Sequence, residues 1–337
     1  MRTLLTASAI IAAIGLSACA TDNTPREPDL FVVVREPDPP APPRQPNPEP
    51  PPAAAPAPNS QAFARVIDVG QGVSMLMARA AISGAQVGDD GLFLIDDQYV
   101  TNAMANLAKI EELTGGKPRY LVNTHWHFDH AGGNAAFAKA GATVFAHENV
   151  RKRLSGEIWS LRGRTAQAEP APKIAWPVVT FTAGVDFHLN GQTIRAIPAP
   201  APAHTDGDVL IYFVEADVLH TGDTYMKDRY PFVDTGSGGT QAGFIAAIAK
   251  AVEIAGPNTK VIPGHGELAT EADLQAALDM HRGARAAVDA LVKSQGKTLE
   301  EAVAAKPLAQ WNARFLGPGA FITDDAYVTV IYNELKK

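Results

Sequence analysis

Tyr120-Leu121-Val122-Asn123-Thr124-His125-Trp126-His127-Phe128-Asp129-His130 is the stretch from which the rest of the chain is read. Tyr120 to Val122 is a short apolar strand that runs directly into four metal-competent side chains, His125, His127, Asp129 and His130. The chain has 9 histidines in 337 residues, so three of them with an aspartate in one hexapeptide form a dense coincidence. A purely structural role would leave several polar rings to satisfy. Alternate residues of an extended segment point the same way, so His125 and His127 are placed to grip one ion. Asp129 and His130, beyond the bend, reach a second. The cluster lies on a loop at the carboxyl end of a strand, where ligand sites of α/β folds form.

The flanking segments support that setting. Upstream, Phe93 to Ile95 is an apolar strand ending in Asp96-Asp97, followed by a helix through Met104, Leu107 and Ile110 that stops at Gly115-Gly116. Downstream, Asp186 to Ile197 is predicted as a hairpin turning at Asn190-Gly191, a dipeptide that supplies positive φ for a tight turn. Val209 to Val214, Val218 to His220 and Lys260 to Ile262 read as strands, and Gly243 to Ile254 as a helix. Leu274, Leu278, Ala284, Val288 and Leu291 mark a long amphipathic helix. Short apolar runs interleaved with helical patterns define a mixed α/β protein.

Two ions need more ligands than one hexapeptide supplies, and a hydrolytic site must also keep a position for water. Three further residues sit on loops after strands. His204 follows the proline-stiffened Pro198-Ala199-Pro200-Ala201-Pro202-Ala203. Asp223 stands at a glycine turn in His220-Thr221-Gly222-Asp223-Thr224, and His265 lies between Gly264 and Gly266, glycines expected to let backbone and substrate approach the ring. His147, His188, His220 and His281 stand alone and read as surface or satisfied core residues, with His220 supporting the Asp223 turn from behind.

These residues resemble the metallo-beta-lactamase superfamily, from about Phe63 through the His265 loop and into the C-terminal helices. The resemblance implies an alpha-beta-beta-alpha sandwich holding two divalent metal ions, with zinc as the expected ion. It assigns His125, His127 and His204 to the first metal, Asp129, His130 and His265 to the second, and Asp223 to a bridge between them. The implied chemistry is hydrolysis by a metal-bridging hydroxide, since two ions lower the pKa of a shared water toward neutrality. Asp129 orients that water or relays a proton. There is no G-x-S-x-G elbow, and the one cysteine is Cys19, so a covalent acyl-enzyme route has no support.

Beta-lactamases of this superfamily usually carry Cys or Ser where this chain has Asp223. A bridging Asp resembles the thioesterase, lactonase, ribonuclease and sulfatase branches. Export and acidity argue against a ribonuclease, and the lack of a basic C-terminal segment against a glyoxalase-type thioesterase. The expected substrate is a small molecule with an ester, lactone, thioester or amide bond, beta-lactams included. The alternative is a non-catalytic envelope lipoprotein that retains the fold, whose sign would be missing ligands. Tyr225 to Gly239 is expected to line the pocket or else to be an ordinary surface loop, and Trp126 and Phe128 either wall the metals or pack beneath the loop.

The composition bounds the rest. With 46% hydrophobic and 19% charged residues there is material for a core, and a net charge of -7 argues against nucleic acid as a partner. Residues 1–18 read as a signal peptide, with Arg2 before an apolar stretch too short to span a bilayer. Leu16-Ser17-Ala18-Cys19 resembles a bacterial lipobox, which implies a lipid anchor at Cys19. Ala20 in place of Asp resembles outer-membrane more than inner-membrane sorting, giving a periplasm-facing lipoprotein of the cell envelope. Residues 19–60 carry more than half of the chain's 26 prolines and read as a stalk, interrupted by a short apolar run at Phe31 to Val34, and residues 61–337 as the globular domain. Cys19→Ser is expected to move the protein from the membrane to the soluble fraction while the folded domain keeps its activity. Fractionation and immunoblotting check this, and a variant that stays membrane-bound contradicts the lipobox.

Overall fold

A computed structural model describes residues 65–77, 81–115, 118–158, 169–317 and 320–337. The leader, the Cys19 lipobox, the stalk and the Phe31 to Val34 run lie outside the described residues. Two sheets form the centre. The first has seven strands, β1 (Arg65–Gly70), β2 (Val73–Met77), β3 (Ile82–Gln86), β4 (Leu92–Ile95), β5 (Pro118–Asn123), β6 (Thr143–His147) and β7 (Val179–Phe181), laid side by side in chain order. The hairpins β1 to β4 are antiparallel, whereas β4 to β7 run parallel. The second sheet contains β8 (Val185–Leu189), β9 (Gln192–Pro198), β10 (Val209–Phe213), β11 (Val218–His220) and β12 (Lys260–Ile262), in the order β12-β11-β10-β9-β8.

The layering follows from alternation along the strands. In β4, Phe93 and Ile95 point into the space between the sheets, where they meet Ile194, Ile211 and Phe213 of the second sheet. Leu92 and Leu94 point the other way, onto α1 (Ala103–Thr114) and α3 (Asn134–Lys139) through Leu107, Ile110 and Phe137. Leu210, Leu219 and Val261 of the second sheet likewise turn their backs to the first and meet α5 (Gln241–Ile254), α6 (Glu271–Asp289) and α9 (Asp324–Leu335). Helix, sheet, sheet, helix is the alpha-beta-beta-alpha sandwich that the sequence motif implied. Strands buried on both faces must be apolar throughout, as LFLI and VLIYF are.

The turn and cap chemistry agrees with this arrangement. Asn190 and Gly191 adopt φ of 52° and 73°, the left-handed pair of a two-residue hairpin, between β8 and β9. Helix α1 ends at Gly115 with φ 68°, and α6 starts in a capping box in which Thr270 and Asp273 exchange hydrogen bonds. Two short helices, α2 (Phe128–Ala131) and α4 (Glu148–Leu154), follow strands of the first sheet, and α7 (Leu299–Ala304) and α8 (Asn312–Phe315) complete the C-terminal layer.

The amphipathic periodicity through Leu291 overruns its helix: α6 closes at Asp289 and passes into one wider π turn, Ala290–Ser294. Phe93 is fully buried, with the rings of Phe187 and Phe213 edge-on at 5.2 and 6.1 Å. Phe93→Ala is expected to cost about 3–5 kcal/mol of stability by leaving a cavity between the sheets, measured by urea unfolding.

Candidate metal centre

Four strand ends and one inter-strand loop converge at one rim of the sandwich. The first support comes from β4, whose last residue is followed by Asp96 in the left-handed region at φ 58°. Its buried carboxylate accepts the Thr124 amide at 2.8 Å, the Thr124 hydroxyl at 2.7 Å and the Nδ1–H of His130 at 2.7 Å. Having given its proton to Asp96, the Thr124 hydroxyl oxygen accepts from Nδ1–H of His125 at 3.1 Å. One carboxylate thus fixes the Nδ1 proton of two rings and turns both Nε2 atoms toward the cluster, the nitrogens that would ligate. Both are buried without a hydrogen-bond partner among the described residues. Next to it, Asp97 accepts the Gly133 amide at 2.7 Å and fastens the segment after His130, and burial pushes its carboxyl well up.

The second pair is prepared in the opposite sense. His127 donates Nε2–H to Asp234 at 3.0 Å, and His204 donates Nδ1–H to the Phe232 carbonyl at 2.6 Å. Their remaining nitrogens, Nδ1 of His127 and Nε2 of His204, face each other at 2.8 Å. With both protons committed elsewhere, two lone pairs oppose each other. A cation between them resolves that contact. Asp234 is itself held by the Gly236 and Ser237 amides and the Ser237 hydroxyl.

Asp223 stands between the two sets, on the single 3-10 turn Gly222–Thr224 that follows β11. Its Oδ1 lies 3.2 Å from His130 Nε2, and its Oδ2 lies 3.4 Å from His204 Nε2, 3.2 Å from His265 Nε2 and 4.0 Å from His125 Nε2. Asp129 approaches His265 and His130 at 3.5 and 3.8 Å. His125, His127, His204 and Asp223 form one group of donor atoms and Asp129, His130 and His265 another, each with all its donors within 4.8 Å. All seven residues singled out in the sequence are therefore brought together.

The glycines beside His265 permit close approach, as expected of them, to named parts of the protein. A Cβ at Gly264 would stand 2.0 Å from Asp223 Oδ1, and one at Gly266 would stand 2.9 Å from Lys227 Cβ. At Gly264 the Gly222 backbone also comes within 2.7 Å of that position, so the glycines make room for the Asp223 carboxylate, the Gly222 backbone and Lys227.

The electrostatics fit a cation-binding cluster. Burial, reinforced by the neighbouring His130, His204 and His127 rings, pushes His125 well below its ordinary range, and burial with His127 lowers His204 to about 4. Both are neutral near pH 7, the ligand form. Burial alone would raise Asp223, but His265, His130 and His204 hold it well down. For His130 and His265, burial is outweighed by Asp223 and Asp129, so both are raised. Asp223 Oδ1 also lacks a hydrogen-bond donor among the described residues. The neutral His125 and His204 rings, a buried carboxylate and donor atoms that face one another fit divalent metal, whose charge would take the place of the protons that His130 and His265 otherwise retain.

Of the remaining histidines, His188 is exposed on β8 and the other three are structural, in keeping with their isolation in the sequence. His220 is buried, lowered to about 4 by burial, and accepts the Gly222 amide at 3.1 Å, bracing the Asp223 turn. His147 caps α4 by accepting the Asn149 amide, and buried His281 pairs with the Tyr327 hydroxyl at 2.6 Å. Trp126 packs beneath the loop against Val150 and Leu154, while Phe128 is exposed. Tyr225 to Gly239 divides: Tyr225, Tyr230 and Val233 enter the helical core, and Phe232 and Asp234 turn to the histidines.

The sequence profile of the Metallo-beta-lactamase superfamily matches residues 70–265, more than half of the chain. The chain belongs to the metallo-beta-lactamase superfamily, and the class this defines is metallo-hydrolase. A probable metallo-hydrolase of Bacillus subtilis (strain 168) is 27% identical over 195 residues, covering 56% of this chain and 87% of its own length. A hydroxyacylglutathione hydrolase of Pelagibacter ubique is 32% identical over 110 residues, but that match spans 32% of this chain and 37% of the relative. Among solved structures, the sec-alkylsulfatase Pisa1 from Pseudomonas sp. superposes with a TM-score of 0.59 at 19% identity, over 80% of this chain and 50% of that one. A metallo-beta-lactamase from Pontibacter korlensis does so at 0.54 and 20% identity, over 65% and 98%. These two likenesses are of fold.

Among the described residues, Asp96 and Asp234 meet the cluster through the rings they orient. Asp96→Ala is expected to weaken metal binding by roughly 10–100-fold, because it frees the Thr124–His125 and His130 tautomers at once. Competition with a chromophoric chelator measures it, and an unchanged affinity would contradict the orienting role.

Proposed function

We propose that the protein is an exported dinuclear metal-dependent hydrolase acting on an ester, lactone, thioester or amide bond, beta-lactams included. The observation that carries this reading is the pair of donor groups around Asp223, within which buried His125 Nε2, His130 Nε2 and Asp223 Oδ1 make no hydrogen bond among the described residues, the last two facing each other at 3.2 Å. His125, His127 and His204 would hold one ion, Asp129, His130 and His265 the other, and Asp223 both. Nitrogen and oxygen donors in compact sets suit zinc. When bound, such a pair of ions supplies Lewis-acid polarisation of a carbonyl and an activated water at neutral pH.

The chain's own groups do the rest. Asp96 and Asp234 keep the imidazoles in their ligating tautomers, and His220 and Gly264 keep the Asp223 carboxylate aimed inward. Asp129, with its side chain 15% exposed, is the one carboxylate of the cluster that opens toward solvent. One of its oxygens is free to take a proton from the attacking water and pass it to the leaving group. All other groups needed are oriented before substrate arrives, which lowers the reorganisation the reaction requires. A non-catalytic protein would have lost donors, and every position is filled. The lipobox-like Leu16-Ser17-Ala18-Cys19 supports a lipid anchor that would hold the enzyme in the bacterial cell envelope, facing the periplasm, within reach of small molecules.

The test pairs metal content with a hydrolysis panel of beta-lactams, lactones, aryl esters and thioesters. Wild-type protein is expected to carry close to two ions per chain. Asp223→Ala is expected to lose the second ion selectively and several orders of magnitude of turnover, with the circular dichroism spectrum retained. His220→Ala, outside the donor set, is expected to lose stability and much less activity. Equal catalytic losses at the two positions, or an Asp223→Ala protein with two ions and full turnover, would overturn the reading.

A further inference from the structure

Exposed and half-buried apolar side chains flank the metal cluster on two sides. On one side the segment after β4 lies against α2. Gln98 bridges Ala131, and a Cβ at Gly132 would meet the Phe128 carbonyl, the Val100 amide and the Gln98 carbonyl at 2.3, 2.8 and 2.9 Å. There the Tyr99 and Phe128 rings lie 5.4 Å apart, with Phe128 52% and Val100 70% exposed. Phe128 immediately precedes Asp129. On the other side, the half-buried Phe232 ring packs 6.0 Å from His127 and 5.8 Å from His204. Phe321, 58% exposed, stands edge-on to Phe232 at 5.7 Å. The donor cluster is therefore bracketed by two aromatic pairs.

Among the described residues, most charges on the neighbouring loops are paired. Lys227 is committed to the Leu268 carbonyl and Asp273, Arg314 to Asp228 and Asp273, and Arg153 to Asp206. On the loop after Asp223, Arg229 is exposed and has no ion pair among the described residues. Solvent-exposed rings that rim a polar centre are what a ligand with an apolar body covers, because each methylene removed from water contributes up to about a four-fold gain in affinity.

We propose, resting on the hydrolytic reading of the centre, that Tyr99, Phe128, Phe232 and Phe321 form an acyl collar, so that the substrate carries an uncharged apolar group of several carbons next to its scissile carbonyl. The electrostatic corollary is that a carboxylate at the far end of that group is disfavoured. It would leave water for a ring-lined surface beside Asp129 and Asp223, with Arg229 the one cation on the loop after Asp223 that has no ion pair among the described residues.

Hydroxamic acids test this without requiring turnover, since their head group chelates a bound divalent ion. Calorimetric titration of the zinc-loaded protein with acetohydroxamic acid, octanohydroxamic acid and the monohydroxamic acid of suberic acid gives three Kd values. The octanoyl probe is expected to bind at least about 30-fold more tightly than the acetyl probe, a gain well inside roughly four-fold per buried methylene. The terminal carboxylate is expected to remove most of that gain. The double variant Phe128→Ala with Phe321→Ala is expected to do the same, with the ratio of the two Kd values as readout so that any common change in metal affinity cancels. Equal Kd values for acetyl and octanoyl probes overturn the collar, as does tighter binding of the suberic probe that Arg229→Ala abolishes. A chain-length gain in a protein that hydrolyses none of matched alkyl ester, lactone, thioester and amide series, nor any beta-lactam, overturns the hydrolytic reading and leaves the collar. Hydrolysis independent of chain length does the reverse, and failure of the zinc-loaded protein to bind any of the three counts against both.

Discussion

Unprotonated imidazole nitrogens and a carboxylate pointed at one another inside a protein repel or go unsatisfied unless positive charge stands among them. Burial makes that penalty several kcal/mol per group, far more than the few tenths typical of a surface contact. His127 Nδ1 and His204 Nε2 at 2.8 Å, each with its other nitrogen already donating, are the plainest instance. The rest of the site is arranged around that constraint. Asp96, Asp234, Thr124 and the Phe232 carbonyl direct protons away from the centre, and Asp223 supplies negative charge to both donor groups.

The fold makes this affordable by spreading the supports over rigid elements. The donors leave the ends of β5, β11 and β12 and the β9–β10 connection, and the orienting carboxylates leave the end of β4 and the loop after the 3-10 turn. Each strand is locked on both faces, so the loops inherit fixed starting directions. His204 is further secured through its own loop: Arg153 of α4 makes a bidentate pair with Asp206, and Asp208 accepts the Thr205 amide and hydroxyl. Burial pushes Asp208 up to about 7, against the hydrogen bonds from Thr205.

The donor set was legible in the sequence because metal chemistry restricts residue types, and because four of the donors are neighbours in the chain. Strands with Asn-Gly turns or uniform apolarity were legible for the same kind of local reason. The orienting shell was not. Asp96 is 34 residues from His130, and Asp234 is 107 from His127, so nothing in the spacing connects them. The available signal was an aspartate pair ending a wholly apolar strand, Asp96-Asp97, which reads equally well as a turn. The hairpins β1 to β3 escaped notice because Gly, Ser and Ala interrupt their apolar alternation, and Ser83 and Gln86 are buried by tertiary contact alone. The tasks of Gly264 and Gly266 likewise depend on Asp223 and Lys227, which only the closed fold brings beside them.

The central claim is that two ions share Asp223. Anomalous diffraction from crystals of the zinc-loaded protein, collected on either side of the zinc absorption edge, locates the ions directly. The account predicts two peaks about 3.5–4 Å apart, one bounded by His125, His127 and His204 and the other by Asp129, His130 and His265, with one Asp223 carboxylate between them. A single peak, or two peaks of which one makes no contact with Asp223, would contradict it.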